Sequence, residues 1–142
     1  MIVDATDLIV GRMSAVIAKK ALLGEKIDVV NCEKAVVTGS RAAVLDKFEQ
    51  KRNRKTIRKG PYVSRMPDRF VRRIIRGMLP YKKEKGEVAF DRIMCYIGVP
   101  KEFEGKKFET VDLANVNKRE VIKFMTVNEI CKSLGAKIWI NK

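Results

Sequence analysis

Histidine is absent from all 142 residues. That removes the commonest general base, the commonest transition-metal ligand and every serine or cysteine triad that depends on imidazole, so catalytic readings begin at a disadvantage. Cysteine is sparse. Cys32, Cys95 and Cys131 are odd in number and form no CxxC pair, which argues against both a disulfide framework and a zinc site. Their expected role is as small buried hydrophobes.

Long apolar runs are missing too. Lys, Asp or Glu interrupts each one well before the ~18 residues that a membrane span requires. The opening MIVDATDLIVGR has neither the charged start nor the apolar centre of a signal peptide, so a soluble, intracellular protein without a membrane partner is expected. The glycine-rich phosphate loops GxGxxG and GxxxxGK[ST] do not occur. Asp4 and Asp7 lie close in sequence, but nothing beside them builds a metal site, and turn or capping roles suit them better.

Positive charge is what the chain has in excess. Its 31 Lys and Arg outnumber 17 Asp and Glu, a net of +14. Between Arg41 and Lys85 the count is 16 basic to 4 acidic, so that segment alone carries +12 of the total. Charge concentrated in this way repels itself unless a polyanion lies against it, and nucleic acid is the partner that it suggests. Length and a 46% hydrophobic content are enough for a single domain over 1–142 with a core of its own.

Along the chain, Ile2-Val3 before Asp4 reads as a short buried strand. Met13, Val16, Ile17 and Ala21 then give helical spacing between Gly11 and Leu23, and Gly24 closes that helix. Ile27–Val30 is a second strand, and the strand–helix–strand order predicts parallel pairing in an α/β fold. Val36-Val37 is a further short extended piece. Ala42, Val44, Leu45 and Phe48 mark the apolar side of the next helix.

From Gln50 to Met66 periodicity is lost. The stretch KRNRKTIRKGPYVSRM holds seven basic residues and a Gly-Pro step, and predicts an extended basic arm. Pro67-Asp68 restarts a helix that ends near Gly77, with Pro80 beyond. Lys82–Asp91 is expected to be helical, Ile93–Ile97 a strand, and Phe103–Asn117 mostly loop. Thr126-Val-Asn-Glu129 is a capping box ahead of a helix that buries Val127, Ile130 and Leu134 and stops at Gly135. Ile138-Trp139-Ile140 is read as a strand or a docked tail.

Within DRFVRRIIRGMLP, Arg69, Arg72, Arg73 and Arg76 fall at i, i+3, i+4 and i+7. All four therefore share one helix face, while Phe70, Val71, Ile74, Ile75 and Met78 share the other. At about 1.5 Å per residue the stripe is roughly 10 Å long, enough for two successive phosphates. The guanidinium fork suits paired phosphate oxygens. A merely solvated face would mix both signs, and Asp68 is the only acid nearby. Replacing Arg72, Arg73 and Arg76 together by Gln is expected to weaken RNA binding while folding is retained.

Aromatics are scarce at 7%, and Phe48 and Phe70 sit on apolar helix faces, so few stacking platforms are left. Recognition of folded RNA by backbone and shape is favoured over single-strand reading, with Tyr62 the one candidate stacker. The helix starts after Gly11 and Gly39, with Arg12 and Arg41 beside them, are further candidates for a backbone phosphate. Two other readings stay open on these grounds alone: a nucleotide-dependent enzyme on a Rossmann-like scaffold, and a general DNA-binding protein.

Three stretches, DATDLIVGRMSAVIAKKALLGEKIDVVNCEKAVVTG, KGPYVSRMPDRFVRRIIRGMLPYKKEKG and YIGVP, are collinear from Asp4 to Pro100 with the large-subunit ribosomal protein thirteen family, which the chain resembles. The resemblance implies an α/β fold of three layers, a small mainly parallel sheet flanked by helices on both faces, with a basic extended arm. It implies a non-enzymatic structural component of the ribosome. Its partners would be large-subunit rRNA and neighbouring ribosomal proteins, in one copy per ribosome rather than as a homo-oligomer, in the cytoplasm. Met-Ser-Ala after Arg12 departs from the family's commoner Leu-Ala-Ser. The histidine motif of bacterial members is missing, so the chain is closer to the archaeal and eukaryotic branch.

From spacing and resemblance together, the candidate RNA-binding residues are Arg12, Arg41, Lys51, Arg52, Arg54, Lys55, Arg58, Lys59, Gly60, Tyr62, Arg65, Arg69, Arg72, Arg73, Arg76, Gly77, Lys82 and Lys83. All but Arg12 fall in the basic segment 41–85. No catalytic residue, metal ligand or cofactor is expected.

Overall fold

The computed structural model describes residues 1–54, 56–118 and 123–137. Lys55 of the expected arm and the Ile138-Trp139-Ile140 run lie outside the described residues.

The chain opens with β1 (Ile2–Asp4), α1 (Val10–Leu22) and β2 (Ile27–Val30), and β1 pairs with β2 in parallel with Val3 opposite Val29. The return from α1 to β2 needs a left-handed residue, which Gly24 supplies at φ +108°. β4 (Ile93–Cys95) joins the other side of β2, also parallel, giving the order β1-β2-β4. All four residues of β2 are buried. Because successive side chains point to opposite faces, both faces of the sheet are covered. Among the helices, α3 (Pro67–Met78) and α4 (Glu84–Asp91) both pack on β4, and α1 packs on both of them. The result is a three-layer α/β fold, and one cluster of buried side chains ties the sheet to all five α-helices of the described residues.

β3 (Val36–Thr38) is extended as its β-branched pair suggests, but it lies outside that sheet. It pairs antiparallel with β5 (Phe124–Thr126), Val37 opposite Met125. β5 runs directly into α5 (Val127–Ser133). There the Glu129 N–H donates to Thr126 Oγ1, and the Thr126 N–H to Glu129 Oε2, both at 3.3 Å, which is the expected capping box.

α2 (Arg41–Asn53) is longer than the sequence predicts, so the arm does not begin at Gln50. Gln50, Lys51 and Arg52 are good helix formers and extend the helix on propensity although the apolar stripe has run out. Arg52 also anchors the last turn, its guanidinium donating to the Leu134 carbonyl at 3.0 Å. Val44 and Phe48 face inward, Leu45 is half-buried, and Ala42 is exposed rather than on the apolar side. The Phe48 and Phe70 rings meet in the core at 4.9 Å.

The YIGVP segment acts as a clamp. The Asn31 N–H donates to the Gly98 carbonyl at 3.0 Å, the Cys32 N–H to the Tyr96 carbonyl at 3.1 Å, and the Gly98 N–H to Glu33 Oε2 at 3.0 Å. All three cysteines are buried and free. Burial, with Asp68 beside it, pushes the Cys131 thiol up to about 12, and a hydrogen bond with Cys95 together with burial raises Cys32. No helix among the described residues is long and apolar enough to cross a membrane.

Candidate nucleic-acid interface

Four consecutive pieces carry most of the cations of 41–85: the end of α2, the arm from Arg54 to Met66, helix α3, and the turn that follows α3. Pro67 at the first position and Asp68 in the first turn start α3 where the sequence predicts. Its apolar side buries Phe70, Val71 and Ile75 and half-buries Ile74. Met78, expected on that side, is 43% exposed.

Arg69, Arg72, Arg73 and Arg76 do share a surface, lining one cavity of 370 Å³ with Phe90. They are not equivalent. Arg72 is half-buried, donates from Nε to the Ile93 carbonyl at 3.0 Å and lies 4.3 Å from the centre of the Phe90 ring. Arg73 donates to the Tyr62 carbonyl at 3.0 Å, pinning the arm to the helix. Arg76 rests 5.0 Å from the centre of the Tyr81 ring, and Arg69 is exposed without a hydrogen-bond partner among the described residues. A guanidinium has five N–H donors, so Arg72 and Arg73 keep most of theirs for a ligand.

In the arm, Arg54 donates to Gln50 Oε1 at 3.1 Å. The Thr56 N–H and hydroxyl both reach the Lys59 carbonyl and make a tight turn, leaving Ile57, Arg58 and Lys59 exposed. Gly60 follows at φ +147°, a conformation that side chains avoid. Tyr62 is 70% exposed, as a stacking residue must be. Arg65 reaches the Gly135 carbonyl at 3.5 Å.

After α3, Leu79 is buried and Tyr81, Lys82 and Lys83 are exposed; α4 starts at Glu84, so both lysines belong to the turn rather than to the helix expected from Lys82. The residue that shapes this turn was absent from the candidates. Gly86 packs so closely that a Cβ there would lie 2.2 Å from the Pro80 carbonyl oxygen. A glycine inside a helical pattern was the available signal.

Arg41 is exposed at the first position of α2, and Arg12 is exposed in the first turn of α1, which begins at Val10 rather than Gly11. At the start of α2 the Ser40 hydroxyl already accepts the Ala43 N–H at 3.4 Å, so that amide has a partner before any phosphate arrives.

Two ion pairs occur among the described residues, Lys20–Glu109 at 3.8 Å and Lys118–Asp112 at 2.7 Å. Both lie outside 41–85. The described cations of that segment are therefore held by carbonyls, rings and solvent, and none is paired with a carboxylate.

Known proteins with similar sequences match nearly all of this chain. Residues 1–102 match the family described as Ribosomal protein L13. The large ribosomal subunit protein uL13 of Picrophilus torridus is 47% identical over 133 residues, covering 94% of this chain and 95% of that protein. The protein of the same name from Methanococcus maripaludis is 44% identical over 141 residues, covering 96% and 98%. That of Archaeoglobus fulgidus is 42% identical over 135 residues, covering 94% and 86%. With both the family model and relatives at this identity spanning β1 to β4, the clamp and the basic segment, the chain belongs to the ribosomal protein L13 family.

Proposed function

We propose that the protein is a structural, non-enzymatic constituent of the large ribosomal subunit in the cytoplasm, and that residues 41–85 hold large-subunit rRNA. Family membership supports the ribosomal role. The observation that carries the RNA role is the uncancelled charge of 41–85, spread over four adjoining pieces with no carboxylate partner among the described residues.

The mechanism is neutralisation. Arg and Lys displace counterions from crowded phosphates, so RNA segments can pack against a rigid α/β body. Arg54, Arg58, Lys59, Arg69, Arg76, Lys82 and Lys83 act on phosphates directly. Arg52, Arg65, Arg72 and Arg73 do so while also fixing the arm and helices through backbone carbonyls. Tyr62 stacks on a base. The remaining partners are neighbouring ribosomal proteins, with one copy of this chain per subunit.

A lysate run on a sucrose gradient, before and after a high-salt wash, tests the proposal. Co-sedimentation with the large subunit that survives the wash is expected. A chain left in the soluble fraction at low salt overturns it.

A further inference from the structure

A larger cavity than the arginine one, 560 Å³, lies between the end of α2 and α3. Its walls are mostly apolar: Phe48 from α2, Phe70, Ile74 and Met78 from one face of α3, and Pro61 and Val63, with Ser64, from the arm, which forms a third side. Its charged lining is Lys51, Arg54 and Arg73, with no carboxylate. An apolar groove left open at the surface, with Met78 43% exposed, is a binding feature rather than unfinished core. Cations around it select a partner that joins an apolar group to negative charge.

Arg73 lines both this groove and the arginine cavity. It therefore stands between an apolar groove and a cationic hollow, and a nucleotide likewise joins a flat base to a phosphate. We propose that the groove receives one unstacked nucleobase, with the adjoining phosphates held by Lys51, Arg54 and Arg73. This rests on the RNA-binding reading above and adds to it a preference for RNA containing an unpaired nucleotide.

Gly77 offers a way to close the groove without disturbing the fold. It lines the groove, and a Cβ built on it meets no atom within 4 Å. Leucine is also the better helix former, so Gly77→Leu should fold at least as well as wild type.

The experiment measures binding of the full chain to two RNA hairpins with the same stem, one fully paired and one with a single unpaired adenosine. Wild type should bind the bulged hairpin at least about tenfold more tightly. Gly77→Leu, checked for folding by thermal melting, should lose that preference, whereas Arg69→Gln should weaken both hairpins alike. Equal binding of the two hairpins by wild type overturns the groove proposal, as does a folded Gly77→Leu that keeps the preference. If wild type binds neither hairpin at low salt, it is the RNA reading that fails. If the hairpins are bound equally and Gly77→Leu strips a neighbouring protein from the subunit on a gradient, the groove is a protein socket and the proposal is wrong.

Discussion

Arg72 closes the open edge of the parallel sheet: its Nε–H donates to the Ile93 carbonyl at 3.0 Å. On either side of β4, the Arg92 carbonyl and the Tyr96 N–H bond to β2, at Ile27 and Val29 respectively, so the intervening Ile93 carbonyl faces away from β2. One arginine of the stripe therefore satisfies a backbone group that no strand reaches. Its guanidinium also lies over Phe90, fastening α4 to the same edge.

Arg72→Gln should accordingly lose about 1–3 kcal/mol of stability, because a charge-assisted bond goes and a part-buried carbonyl is left without its partner. Arg69→Gln, on an exposed position without such a bond, should change stability by less than ~0.5 kcal/mol while weakening RNA binding. Urea titrations beside RNA-binding isotherms separate the two effects. The triple replacement of Arg72, Arg73 and Arg76 mixes them; Arg69 with Arg76 is the cleaner pair. Equal stability loss at Arg69 and Arg72 would mean that the edge bond contributes nothing.

Local sequence made the Arg69 to Arg76 stripe legible, since helix periodicity alone brings four side chains to one face. The same was true of β1, α1 and β2, whose pattern and turn glycine agree, and of the Thr126–Glu129 box. Long-range partners were not legible. Arg72 to Ile93, Arg73 to Tyr62 and Arg52 to Leu134 join residues far apart in sequence, so no window shows that these arginines also hold the fold. Where β3 pairs was not legible either, because its partner, β5, is three residues long and merges into the cap of α5. The end of α2 was hidden for another reason: exposed basic residues carry helix propensity without apolar period.

Gly86→Ala should destabilise the chain and displace the Leu79–Lys83 turn. The added methyl would sit 2.2 Å from the Pro80 oxygen and 2.4 Å from its carbon, both backbone atoms that cannot rotate aside. Overpacking of this kind costs about 1–3 kcal/mol. A melting curve should show the loss, and RNA affinity should fall through Lys82 and Lys83 even where the variant is fully folded. A variant as stable as wild type would show that the close approach relaxes freely.

Asp4 joins the ends of β1 and β2, its Oδ1 accepting from the Thr6 N–H at 3.0 Å, the Thr6 hydroxyl at 2.7 Å and Asn31 Nδ2 at 3.0 Å. Burial opposes its charge, but the bonds from Asn31 and Thr6, with Lys34 nearby, outweigh it and hold the carboxyl below its ordinary 3.8. A lowered folded value stabilises the protein at pH above 3.8, and that contribution fades as pH falls through the folded value. The stability gap between wild type and Asp4→Asn should thus be largest near neutral pH and narrow on acidification below 3.8. A gap that is constant with pH would assign the effect to shape rather than to charge.

Salt dependence tests the neutralisation mechanism most directly. If ~6 phosphates are engaged, with a slope near −0.9 for each, RNA affinity should fall about a thousandfold between 50 and 200 mM salt. Arg54, Arg58 and Lys59 are exposed on the arm and bound to no carboxylate among the described residues, so each should account for its own share of released counterions. Replacing these three by Gln should reduce the slope by about 2.7 while the melting temperature stays within error, because none anchors another element. Arg52→Gln is the informative contrast. Its guanidinium holds the Leu134 carbonyl, so it should lower stability as well as affinity. A slope unchanged by the triple replacement would move the phosphate contacts off the arm and onto α3 and the turn after it.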